Sequence, residues 1–258
     1  MSNMNAPPPS VGIANALLVS NDAATIKQLS ESMQQLAISP QVCAEAPAAL
    51  VLLNHRKFEA VIVDLQLAGQ ANAVLEQARR SPSNRTAVIF TVSDSDAETV
   101  SAIKAGSNFV LRRPLSLTSI GRSLKVAYGL ILRERRRYFR CPIEIPAAIC
   151  RAGMPEVHGQ TVNISESGMA ITTSVSLRPG VKVQVHFTIP GHESRFVVGA
   201  AVRWCKETWL GLQFTSLSPH LTSELQEWLL CRFEETLPES IADRFRNLEN
   251  APIDRTSR

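Results

Sequence analysis

The sequence predicts two domains of different class. An α/β domain on a doubly wound, parallel five-stranded sheet comes first, then an all-β, six-stranded antiparallel barrel with a C-terminal helix. Three observations carry this. The 258 residues are enough for two ordinary domains of about 150 residues each. Between Ala16 and Leu132, short apolar runs alternate with stretches of helical periodicity, the pattern of parallel crossover units. From Cys141 onward the segments turn β-like and are separated by turn residues.

Taken in order, residues 1–12 are polar, contain Pro7-Pro8-Pro9 and read as a disordered leader. The first domain, 13–122, has strand candidates ALLVS (16–20), SPQVC (39–43), EAVIVDL (59–65), TAVIFTV (86–92) and FVLR (109–112). Amphipathic stretches such as Ala24–Leu36 and Asp94–Ala105 supply helices between them. Residues 123–140 read as a helix and an Arg-rich linker, with Ser123–Arg137 helical and basic at its end. The barrel and its helix occupy 141–236, with strand segments 143–151, 158–165, 168–177, 182–191, 195–205 and 209–214. Ser218 is the expected N-cap of the last helix, Pro219 its first residue, and Leu221, Leu225, Leu229 and Phe233 its apolar face. Residues 237–258 form a polar tail.

Composition narrows the function. Hydrophobic residues at 45% and charged residues at 19% supply real cores and exclude wholesale disorder. Lys plus Arg number 27 against 23 Asp plus Glu, and a formal charge of +4 does not mark a DNA binder. The five cysteines form no CxxC pair, which fits reduced, mostly buried thiols and gives no zinc-ribbon signal. With no signal-peptide pattern and no apolar stretch near the roughly 18 residues of a membrane span, a cytoplasmic protein is expected. No GxSxG, Walker or HExxH pattern appears, so no catalytic residues are assigned and the chain reads as a non-enzyme. His55, His158, His186, His192 and His220 show no metal-ligand spacing, and no metal or cofactor is expected. Trp204, Trp209 and Trp228 read as core and helix packing rather than a stacking platform for bases.

The residues that carry chemistry fall in two short stretches. Arg133, Arg135, Arg136, Arg137 and Arg140 put five guanidinium groups into eight residues. Such a run is ordinarily a solvated helix end, favoured by the dipole. Here it uses arginine alone and abuts an apolar strand, and arginine grips phosphate bidentately and stacks on flat rings. The second stretch, Asn163-Ile164-Ser165-Glu166-Ser167-Gly168, lies between two predicted strands and reads first as a turn. Asn163 and Ser165, two apart at a strand end, point the same way and offer an amide and a hydroxyl to a polar planar ligand. Gly168 lets backbone approach closely.

Together these stretches resemble the PilZ domain, whose signature is RxxxR followed by (D/N)xSxxG. The matching residues are Arg136-x-x-x-Arg140 and Asn163-x-Ser165-x-x-Gly168, with 22 residues between Arg140 and Asn163. Residues 133–217 look similar throughout, including GLQF at 211–214. The resemblance implies a six-stranded barrel that binds cyclic di-GMP and acts as an effector. It assigns ligand binding to Arg135, Arg136, Arg140, Asn163, Ser165 and Gly168. Arg135, just before RxxxR, stands where an arginine in the family tends to accompany a stacked pair of ligand molecules. Asn163 replaces a frequent aspartate and can accept from guanine but carries no charge, which weakens affinity.

Residues 16–130 resemble the receiver domain of response regulators. Asp64 matches the phosphoacceptor, Thr91 the switch hydroxyl, and Arg113-Pro114 stands where the family has Lys-Pro. The acidic pair that holds Mg²⁺ in the family corresponds to Ser20-Asn21, leaving Asp64 as the one certain carboxylate. A degenerate receiver follows, used for docking or dimerisation, with Asp64 a strand-end acid paired to Arg113.

The reading is a bacterial cyclic di-GMP effector. Nucleotide held between the Arg-rich linker and the barrel resets inter-domain geometry and the binding of a protein partner, self-association as a homodimer included. Three rivals remain: a phosphorylation-dependent response regulator using Asp64, a PilZ-like scaffold without ligand, and polyanion binding through the arginine run.

Overall fold

The structure, a computed structural model, describes residues 12–67 and 69–237. The expected leader (but for Gly12) and nearly all of the expected tail lie outside these residues. Two compact units divide them, one through Arg135 and one from Arg136 onward.

The first unit follows a β/α alternation: β1 Ala14–Val19, α1 Ala23–Gln34, β2 Ile38–Cys43, α2 Ala46–His55, β3 Ala60–Asp64, α3 Ala71–Arg80, β4 Val88–Ser93, α4 Asp96–Lys104 and β5 Phe109–Arg112. All five strands are parallel, in the order β2-β1-β3-β4-β5. The chain steps outward from β1 to β2 and then reverses. Right-handed crossovers therefore put α1 on one face and α2 to α4 on the other. Both faces are covered, which is why the central strands read as unbroken apolar runs. Leu17, Val19, Val61, Val63 and Ile89 pack with Leu53, Val74 and Leu75 of α2 and α3. The alternate residues Leu18, Ile62 and Phe90 are equally buried. Asp22 caps α1, accepting from Thr25 N at 2.8 Å.

Helix α5 runs Leu117–Arg137, starting six residues before the predicted Ser123. Ile120, Leu124, Ala127 and Ile131 form its buried stripe, and Tyr128 Oη donates to Leu36 O at 3.1 Å, just beyond α1. Glu134, the single acid in the arginine run, is buried rather than solvated. It accepts from Lys57 Nζ and, at 2.6 Å, from Thr86 Oγ1, which anchors the end of α5 on the first unit.

The second unit comprises β6 Cys141–Pro142, β7 Pro146–Cys150, β8 Val157–Ser165, β9 Gly168–Thr173, β10 Lys182–Phe187, β11 Phe196–Lys206, β12 Trp209–Ser216 and α6 Pro219–Glu235. Strands β8, β7, β10, β11, β12 and β9 pair in that order, and a β8–β9 ladder closes the ring into a six-stranded antiparallel barrel. The two-residue β6 adds to the outside edge of β8. Alternate residues fill the interior, among them Val183, Val185 and Phe187 of β10 and Phe196, Val198 and Val202 of β11. Helix α6 begins as expected: Ser218 Oγ accepts from Leu221 N at 3.3 Å, with Pro219 first in the helix. It lays Leu225, Trp228 and Leu229 on the barrel core, while Phe233 meets Phe139 edge-on at 5.3 Å.

Two expectations about side chains change. Only Cys43 and Cys141 are buried; Cys150 and Cys205 are half-buried and Cys231 is exposed. Trp228 does pack in the core, but Trp204 and Trp209 stand 44% and 43% exposed on the barrel surface. Among the described residues no helix is long and apolar enough to cross a membrane.

Candidate functional site

A cavity of about 360 Å³ opens on the barrel face where the ends of β8, β9, β11 and β12 meet. Arg140, Asn163, Ser165 and Gly168 all line it, so residues with 22 others between them in the chain converge on one space. Pairing explains the convergence. Pro142 of β6 sits opposite Asn163 of β8, and Ser165 opposite Gly168 across the β8–β9 turn. Arg140 immediately precedes β6 and is thus carried to the same end of β8 as Asn163 and Ser165.

Each residue has a definite local role. Ser165 Oγ donates to Gly168 O at 3.0 Å, which ties the turn and leaves the hydroxyl's lone pairs toward other donors. Gly168 is required for space and not for a left-handed backbone: a Cβ there would lie 2.1 Å from Leu212 O of the neighbouring β12. Its φ is not positive, so the turn reading of this glycine gives way to close strand approach. Among the described residues, neither the Arg140 guanidinium nor the Asn163 amide has a hydrogen-bond or ion-pair partner.

Sequence reading missed two lining residues, Arg203 and Trp204, and their cause is a β-bulge. Strand β11 shifts register between Val202 and Trp204 against β12. Regular alternation after the buried Val202 would turn Trp204 into the core. The extra residue flips the phase, so Arg203 and Trp204 both face outward and Cys205 turns back toward the interior. Gly211 gives the indole its seat, since a Cβ there would lie 2.1 Å from the Trp204 ring. Arg203 Nε donates to Gln213 Oε1, which holds the guanidinium at the cavity wall. Val162 is a similar extra residue in β8, between Thr161 and Asn163. The bulges left no apolar-pattern signal beyond a broken period.

Arg135 and Arg136 do not line this cavity. Arg135 belongs to the first unit, with Nη1 3.9 Å from Oε1 of the buried Glu59. Burial pushes the Glu59 carboxyl above its usual range, opposed by a hydrogen bond from Asn15 N at 2.7 Å and by the charges of Arg135 and Lys57.

The polar cluster at the end of the parallel sheet is organised differently. Asp64 is fully buried, and Arg113 forks onto it at 3.1 and 2.8 Å. Ser20 Oγ donates to Oδ2 at 2.7 Å and Gln66 N to Oδ1 at 3.2 Å. The hydrogen bond to Asp64 holds Arg113 above its ordinary pKa, firmly charged. Thr91 is bonded to Ser107, at 3.1 Å, and not to Asp64. A guanidinium and a neutral hydroxyl thus stand against the carboxylate. These residues do not fit a Mg²⁺ site, which needs several anionic or water oxygens.

Comparison with known proteins finds a family match in the second half of the chain. Residues 134–231 match the family model of the PilZ domain, and this part of the chain is a PilZ domain. The receiver domain of a sensor histidine kinase from Pseudomonas aeruginosa is similar at 17% identity, with a TM-score of 0.41, over 45% of this chain and 98% of that one. A chemotaxis response regulator of Vibrio cholerae is similar at 16% identity and a TM-score of 0.41, over 44% and 97%. An inhibitor of motility from Bacillus subtilis is similar at 18% identity and a TM-score of 0.36, over 40% of this chain and 53% of that one. No curated protein matches the chain.

Proposed function

We propose that the PilZ domain of this chain binds cyclic di-GMP at the cavity lined by Arg140, Asn163 and Trp204, and that the chain is a signalling effector rather than a catalyst. The carrying observation is that Arg140, from the first half of the motif, and Asn163, Ser165 and Gly168, from the second, line one cavity. Cyclic di-GMP offers two phosphates and two guanines. Arg140 pairs with phosphate or stacks on a purine, and Arg203 is placed to reach guanine O6 and N7. Asn163 and Ser165 address a guanine edge, and the exposed Trp204 indole supplies a stacking face.

In this reading residues 13–122 are the receiver-like scaffold, 123–140 the linking helix and arginine run, and 141–236 the binding barrel. Arg136 and Arg135 close on the nucleotide from the end of α5, with Arg135 leaving Glu59 to do so. A ligand shared by this run and the barrel shifts the geometry between the domains through those added contacts. The output is a protein partner or self-association.

Calorimetry tests the binding: cyclic di-GMP gives saturable heat at micromolar concentration, and GMP and cyclic di-AMP give none. No heat from cyclic di-GMP overturns the reading. Limited proteolysis at Arg133–Arg140 tests the geometry, with protection expected at saturation and unchanged cleavage the contrary result.

A further inference from the structure

On the barrel wall formed by β8, β7 and β10, three metal-ligating side chains that the sequence spaces widely come together. Cys150 ends β7, Glu156 lies in the loop after it, and His186 sits on β10. One donor atom from each lies within 4.8 Å of the other two. We propose that Cys150, Glu156 and His186 form a binding site for a borderline-soft divalent cation, zinc above all. None of the three lines the cavity assigned to the nucleotide.

The register makes the cluster. Gln184 of β10 pairs with Cys150, and His186 pairs with Ala148, so Cys150 and His186 lie two residues apart along one outward face of adjacent strands. Cys150 Sγ is 3.7 Å from His186 Nδ1 and 3.2 Å from Glu156 Oε2. In a tetrahedral zinc site with bonds of about 2.3 Å to sulfur and 2.05 Å to nitrogen, the sulfur–nitrogen edge is about 3.6 Å. The sulfur and nitrogen already stand at about that separation, 3.7 Å, and the carboxylate oxygen lies within 4.8 Å of both.

The imidazole is oriented for the task. Arg195 Nη2 lies 3.1 Å from His186 Nδ1, and a guanidinium can only donate, so Nδ1 carries the lone pair. The proton is then on Nε2, 3.1 Å from Gln184 Oε1, which accepts it. This is the arrangement of a metal-ligating histidine whose second nitrogen is held by an outer partner. Arg195 occupies the cation's place and is exposed, so it can swing into solvent when the metal arrives. Thiolate and carboxylate together neutralise a divalent charge, the thiol proton passing to solvent on binding. Three protein ligands leave a fourth position for water. His158 Nε2, 3.6 Å from Glu156 Oε1, backs the carboxylate from outside.

The test is a cobalt(II) titration of the freshly reduced full chain, then zinc displacement. The expected result is one equivalent of cobalt with sulfur-to-cobalt charge-transfer absorption. Cys150→Ser should abolish that absorption, and His186→Gln should weaken binding at least about tenfold. Cys231→Ser, at the exposed thiol on α6, should leave both unchanged. No charge-transfer band in the wild type, or a band that survives Cys150→Ser, overturns the proposal. Far-UV circular dichroism of each variant confirms that the barrel is intact, and Gln184→Ala, which removes no ligand, supplies a further variant expected to weaken cobalt binding severalfold.

Discussion

The two polar clusters of this molecule use the same side-chain types to opposite ends. At the C-terminal end of the parallel sheet, a carboxylate, a guanidinium and a hydroxyl are spent on one another: Asp64 takes two bonds from Arg113, one from Ser20 and one from a backbone amide. On the barrel, a guanidinium and an amide face a cavity with no partner among the described residues, beside an indole that a bulge turns outward. Satisfied buried charges hold a fold, whereas polar groups without an intramolecular partner at an open concave surface are available to a ligand. The difference separates a closed cluster from an open one, and the proposed binding site is the open one.

The largest effect should come from breaking the committed cluster. Asp64→Ala leaves the partly buried Arg113 guanidinium with only Thr25 Oγ1 and the more distant Asp94 as acceptors, which should cost about 3 kcal/mol. All three tryptophans lie in the second unit, so the two units can be followed separately in urea. The helical circular-dichroism transition should move to lower urea while the tryptophan fluorescence transition stays. Equal shifts in both would contradict the division of labour. With acetyl phosphate and Mg²⁺ the intact mass should not change, and an adduct lost in Asp64→Asn would break the comparison outright.

On the open side, Trp204→Ala should weaken cyclic di-GMP binding by about 1–3 kcal/mol, the range of a base–aromatic stack. The fold should survive, since the indole is exposed. Unchanged affinity would remove the indole from the site. Asn163→Asp should tighten binding by about 1 kcal/mol, because a carboxylate accepts from guanine N1–H and N2–H as a charged group. Weaker binding would mean that Asn163 faces phosphate instead.

The smallest effect concerns Glu59, whose carboxyl is raised above its ordinary 4.5 by burial. The folded state then holds a proton more tightly than the unfolded one. Its stabilising contribution is present below the unfolded pKa and is lost as pH rises through the raised folded value. Glu59→Gln should flatten that part of the stability profile, a change of about 1 kcal/mol or less. An unaltered slope across weakly acidic pH is the contrary outcome.

How much of this the chain itself discloses depends on the period of its pattern. The central parallel strands are buried on both faces, and runs such as AVIVD and VIFTV stand out against polar flanks. The six barrel strands are legible from alternation and turn residues. Asn163, Ser165 and Gly168 are legible because they fall within six consecutive residues. Arg203 and Trp204 are not, because a single extra residue in β11 inverts the inside–outside phase that a reader extrapolates. The Cys150–His186 proximity is hidden for another reason: 36 residues separate them, and only the β7–β10 register joins them. Glu134 misleads in the same way, since within an arginine run it looks solvated, yet it is buried against Lys57 and Thr86.

The central claim is that the open guanidinium on the barrel, and not the closed acid on the sheet, meets the messenger. Parallel calorimetric titrations of cyclic di-GMP into wild type, Arg140→Ala and Asp64→Asn test it directly. The account predicts that Arg140→Ala binds at least about 30-fold more weakly, near 2 kcal/mol, while Asp64→Asn stays within about twofold of wild type. Wild-type affinity in Arg140→Ala, or a comparable loss in Asp64→Asn, would contradict it.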